Sequence, residues 1–169
     1  MLDFSRVLKA AFASLVLVGF VCGEEKPEEK PKGVVVELET GEFVEAQAAA
    51  EHDGFTGTGF ADFFRFEDAS VEVSATIEKA GSYPMVIRFA NGSFEHRPIK
   101  ILVNGKVAIE RLVFKGTDDE MWDVYRTITT EKVAFKAGKN TLKFVTIDED
   151  GPNLDNVTIV TEPAPEKKK

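Results

Sequence analysis

The chain has 169 residues, with 29 acidic against 21 basic side chains, a single cysteine and two histidines, for a net charge of −8. That length allows one domain with a sizeable core. An acidic surface without a basic stripe argues against nucleic acid and anionic membranes as partners, and one cysteine rules out an internal disulfide.

In chain order, Arg6 and Lys9 precede an apolar run from Ala10 to Val21 that is too short for a comfortable membrane span. Residues 1–23 therefore read as a signal peptide, and the chain as exported: secreted, periplasmic or held at the cell surface. The run ends at Cys22, so a second reading makes Cys22 a lipidated cysteine, the lipid being the chain's one link to a membrane. Residues 24–33 form a charged, proline-punctuated linker, and residues 161–169 repeat that character as a tail expected to be disordered. Residues 34–160 are the globular unit, with 22 acidic and 13 basic side chains and a net charge of −9.

Within that unit, short runs of Val, Ile, Phe and Thr are divided by Gly, Asn and Asp at roughly 8–12-residue spacing, the pattern of an all-β sandwich. Strands are expected at Val34–Leu38, Gly59–Phe64, Val71–Ile77, Tyr83–Phe89, Ile99–Val103, Lys106–Phe114, Val124–Phe135, Thr141–Ile147 and Leu154–Val160. Val71, Val73, Ala75 and Ile77 alternate with Glu72, Ser74 and Thr76, as a half-buried strand requires. Asn104-Gly105 marks a tight hairpin. Gln47 to Glu51 is the one helix-like patch, enough for a turn or two.

Enzyme chemistry finds little support. His52 and His96 form no helical pair for zinc, no Cys–His pairing exists in the globular unit, and Gly57-Thr58-Gly59 lacks the ending of a phosphate loop.

Phe55-Thr56-Gly57-Thr58-Gly59-Phe60, Ala80-Gly81-Ser82-Tyr83, Arg88-Phe89-Ala90-Asn91-Gly92, Val103-Asn104-Gly105, Trp122-Asp123-Val124-Tyr125, Ala137-Gly138-Lys139-Asn140 and Gly151-Pro152-Asn153-Leu154-Asp155 occur in a fixed order. This series, spanning Glu37 to Val160, resembles the carbohydrate-binding modules of family 35 and the related family 6. The resemblance implies a jelly-roll, galactose-binding-like β-sandwich without catalytic activity. Its partner would be a polysaccharide or oligosaccharide, neutral or uronic, bound in loops at one end of the sandwich. It also implies a mainly structural calcium ion, held by glutamates of the first strand and an aspartate near the end.

Trp122 follows a polar loop and is expected to stack on a pyranose, while the Asn153 amide offers donors and an acceptor to vicinal hydroxyls. Phe63, Tyr125 and Arg97 complete the expected ligand set: Phe63 as a second wall, Tyr125 as a wall or core residue, Arg97 as a partner for an acidic sugar or a neighbouring carboxylate. Phe60, Phe64 and Phe66 are expected on one strand face and Phe63 on the other. Glu37 and Glu39 stand two apart, sharing a strand face with Leu38 turned to the core, and carboxylates so placed suit calcium. The resemblance adds Asp155 to that metal set. The acidic loops carrying Asp118, Asp119, Asp148 and Asp150 read either as a second cation site or as solvated loops. A structural or protein-interaction sandwich without sugar binding is the alternative function.

Overall fold

The computed structural model describes residues 32–118, 120–148 and 150–162. The expected signal peptide with Cys22, most of the linker, Asp119 and the tail from residue 163 lie outside the described residues.

Alternating apolar runs become strands that pair antiparallel into two main sheets. The first has the order β10 (Arg126–Thr129), β7 (Met85–Ala90), β13 (Asn153–Glu162), β4 (Phe60–Phe63) and β3 (Ala46–Ala49), with β1 (Lys32–Glu37) also pairing β13. The second runs β2 (Glu42–Val44), β5 (Ser70–Ile77), β12 (Gly138–Thr146), β8 (Arg97–Val103) and β9 (Lys106–Phe114). A two-stranded ribbon joins β6 (Gly81–Tyr83) to β11 (Val133–Phe135).

The inward faces close on one core. Val71, Val73 and Ile77 of β5 pack with Leu142 and Phe144 of β12, and with Ile87 and Ile159 from the other sheet. Phe89 meets Phe114 across the sheets, ring centroids 4.7 Å apart and nearly perpendicular, at the end where the site lies. Leu38 is fully buried, and each such side chain contributes about 1.5–3 kcal/mol by leaving water.

Several expectations need correction. The patch from Gln47 to Glu51 is no helix: Ala46–Ala49 is an extended strand in register with β4, Gln47 opposite Asp62 and Ala49 opposite Phe60. Its alanines favour a helix locally, and sheet pairing overrides that weak preference. The single strand expected over Tyr83–Phe89 is broken at Pro84, which lacks an N–H for the ladder. That expected over Val124–Phe135 becomes β10 and β11, which pair with different partners. Glu39 is not on the first strand but in a 3-10 turn over Leu38–Thr40. The chain leaves β4 after Phe63, so Phe60 and Phe63 are buried while Phe64 and Phe66 are exposed, instead of alternating along one strand.

One irregularity positions everything that follows. Along the β13–β7 ladder the register slips between Leu154 and Asn156, so Asp155 is the extra residue of a β-bulge.

Candidate functional site

Between the loops at one end of the sandwich lies an open cleft of about 220 Å³. Asp62 and Phe63 come from β4, Arg97 from the start of β8, Asn153 from the start of β13, and Trp122 and His52 from loops. Trp122 is half-buried and its ring is oriented by neighbours. The Arg97 guanidinium carbon sits 4.8 Å from the ring centroid, and the His52 ring lies 6.1 Å away at an interplanar angle of 23°. Against the indole edge stands Gly92, where a Cβ would come within 2.7 Å of Trp122 Cδ1 and 2.9 Å of the Met121 backbone.

Arg97 is fully engaged. Its Nε donates to Ser93 Oγ at 3.2 Å, its Nη1 donates to the Gly151 carbonyl at 2.7 Å, and its Nη2 lies 3.8 Å from Asp150. It thus ties β8 to the loop entering β13 and holds Asn153 in place. Arg65 reaches the other Asp150 oxygen at 3.3 Å.

Asn153 is the informative residue. Only 4% exposed, it lines the cleft, yet its side-chain amide makes no hydrogen bond to any described residue. The other buried asparagines behave differently. Asn91 donates to the Glu95 and Phe114 carbonyls and accepts from Ser93, and Asn140 bonds Lys136, Gly138 and Asn104. Buried amides are normally satisfied within the protein; that of Asn153 instead opens to the cleft.

A second constellation lies where β1 ends. Thr56 donates its N–H to Asp155 Oδ1 at 2.8 Å, and Thr58 donates its own to Glu39 Oε1 at 2.9 Å. Thr56 Oγ1 stands 3.1 Å from Glu37 Oε2 and 3.0 Å from Asp155 Oδ2, with one proton between two carboxylates. Gly57, at φ +64°, passes so close that a Cβ would fall 2.4 Å from Glu39 Oε1. Glu39 Oε2 is buried with no partner. Burial, with Asp155 and Glu39 adding to it, pushes the Glu37 carboxyl above the ordinary range against the opposing Thr56 bond.

Arg88 also enters this constellation, through an ion pair with the fully buried Asp155 and an Nη2 bond to the Gly54 carbonyl at 2.7 Å. Among the described residues no three metal-ligating side chains close around one point, and Arg88 is paired with Asp155. The chemistry of the set still suits a hard cation: oxygen donors, one of them orphaned, and more negative charge than Arg88 offsets.

Of the residues expected from sequence, Trp122, Asn153, Phe63 and Arg97 meet at the cleft. Tyr125 does not. Arg88 lies 4.3 Å over its ring, and its hydroxyl is buried without a partner, pushed far up by that burial and by Asp155. Glu37, Glu39 and Asp155 converge on the Thr56–Thr58 loop. Asp148 pairs with Arg111 at 3.4 Å and Asp150 with Arg65 and Arg97. His52, Glu51 and Asp62 line the cleft unforeseen. The signal that would have found Asp62 is the β3–β4 register, hidden by the helical look of the alanines.

A family profile described as "Carbohydrate binding module (family 35)" matches residues 34–159. An exo-beta-D-glucosaminidase of Amycolatopsis orientalis is 35% identical over 124 residues, which is 73% of this chain and 12% of the enzyme, so the chain spans about an eighth of that relative's length. A solved structure of a family 35 module from Paenibacillus barcinonensis is 29% identical with a TM-score of 0.71, covering 77% of this chain and all of that one. A further family 35 module, solved with a glucuronic acid-containing disaccharide, shares the fold at 24% identity and a TM-score of 0.66, covering 77% of this chain and 94% of that one.

Proposed function

This chain belongs to family 35 of the carbohydrate-binding modules, and from that premise we propose that its cleft binds a glycan without acting on it. The observation that carries the reading is the Asn153 amide, which opens to the cleft beside Trp122 with no side-chain hydrogen bond among the described residues. A sugar hydroxyl both donates and accepts, as an amide does, and its C–H faces cover aromatic surface. Trp122 and His52 supply the aromatic wall, Phe63 the floor, and Arg97 fixes the geometry.

The same reading assigns a structural calcium ion to Glu37, Glu39 and Asp155. Calcium would supply positive charge to three carboxylates that have one arginine among them and otherwise only the Thr56 and Thr58 N–H and hydroxyl groups and the Asn156 amide. The chain's own part is to hold the Thr56–Thr58 loop against the end of β1 and the β13 bulge. Export through residues 1–23, with or without a lipid on Cys22, belongs to the proposal as well.

A glycan array of neutral and uronic oligosaccharides, run with calcium and again with a chelator, tests it. Binding to at least one class is expected, weakened by Trp122→Ala. Silence across the array, from a chain whose melting shows that it is folded, would leave the structural-sandwich alternative, which the Arg97 contact on the Trp122 ring favours.

A further inference from the structure

The charges around the cleft are unequally paired. Its cations are spent: Arg97 is bonded to Ser93 and Gly151 and lies against Trp122, and both Arg97 and Arg65 are turned to Asp150. Asp150 is therefore neutralised twice. On the opposite side Glu51 and Asp62 have no arginine or lysine at ion-pair distance among the described residues. Glu51 accepts from the Ala50 N–H at 3.1 Å, and Asp62 Oδ2 accepts from Gln47 Nε2 at 3.3 Å, the partner across the β3–β4 ladder. Asp62 Oδ1 has no hydrogen bond among the described residues. Asp62 lines the cleft together with Asn153 and Trp122.

We propose that this cleft takes an amino sugar with a free, protonated amine, a glucosamine-type residue, with Asp62 as the acceptor of its ammonium group and Glu51 adding negative potential. The inference rests on the glycan-binding reading above and names the ligand's class. A half-buried carboxylate with no cation at ion-pair distance among the described residues, only Arg97 and His52 farther off, gains from a ligand that brings one. Burial also raises the Asp62 carboxyl, with Glu51 adding to the effect and Gln47, His52 and Arg97 opposing it. A neutral sugar would bond Asp62 Oδ1 and Asn153 but leave the charge uncompensated. A uronate would bring a further negative charge to a cleft whose arginines are already taken. The aromatic wall and the Asn153 amide serve the pyranose ring in each case, so Asp62 sets the preference.

The test is calorimetric titration of the full chain, in chelator, with three probes: a β-linked glucosamine tetramer, its N-acetylated counterpart and a glucuronic acid-containing disaccharide. The free amine should bind about tenfold tighter than the acetylated chain, the effect of one partly buried charge pair, and the advantage should shrink as salt rises. Asp62→Asn should abolish the advantage, with the fold checked by an unchanged Tm. Glu51→Gln should narrow it, and serves if the first variant fails to fold. Equal binding of amine and acetylated probes, or binding of the uronate alone, overturns the amino-sugar assignment and leaves glycan binding standing. Binding of none of the probes by a folded chain overturns the amino-sugar assignment, and silence across the glycan array as well, with and without calcium, overturns both.

Discussion

Asn153 and Asp155 lie two residues apart on β13, and the bulge between Leu154 and Asn156 gives them different partners. Asn153 opens its amide to the cleft, while Asp155 is fully buried against Thr56 and Arg88. Leu154 between them is core. One short segment thus joins a surface for a ligand to a charged knot that fastens the start of the domain to its last strand.

The knot makes Arg88 a stability residue. Arg88→Gln leaves Asp155 charged and buried with only Thr56 and Asn156 for company, and breaking such a pair costs about 3–5 kcal/mol. Urea denaturation without calcium should show a loss of that order. Calcium should restore part of it. A variant as stable as the parent would mean that the ion pair contributes little.

Calcium itself should raise the melting temperature. At 100 times its dissociation constant, a ligand that binds only the folded state adds about 2.7 kcal/mol. The pH dependence has a definite sign. Glu37 has a raised carboxyl pKa, so its ionised form costs stability above that pKa, and the cost disappears as pH falls through it. Calcium needs the ionised form, so its stabilising increment should be full at neutral pH and fade on acidification, beginning above the ordinary glutamate range. An increment independent of pH would place the ion elsewhere.

Gly92 is the packing partner of Trp122. Gly92→Ala sets a methyl against both the indole and the Met121 backbone, so the ring must move. Glycan affinity should fall by about an order of magnitude, with a stability cost of about 1–3 kcal/mol. Unaltered affinity with a lowered Tm would show that Trp122 serves packing alone.

Much of this molecule can be read from its residues. The alternation in β5, the hairpin at Asn104-Gly105 and the last strand follow from period-two burial and turn chemistry, which are local. Asn153, Trp122, Glu37, Glu39 and Asp155 sit in short motifs and so stand out in the sequence. His52, Glu51 and Asp62 do not, since a surface carboxylate and a cleft carboxylate look alike until sheet register brings them together. Arg88 sits in a quoted motif, but its role depends on a bulge, and one extra residue in a ladder leaves no local trace in composition. Tyr125 stands three residues from Trp122 in the chain, yet it lies under Arg88 in the other constellation.

If Asn153 is left unbonded for a sugar, calorimetric titration of the best-binding glycan into Asn153→Ala should show at least a tenfold loss of affinity, as when a polar ligand group loses its partner. The Tm should stay close to that of the parent, because the amide has no side-chain hydrogen bond among the described residues. Unchanged affinity, or a large fall in Tm showing that the amide was holding the fold, would contradict that role.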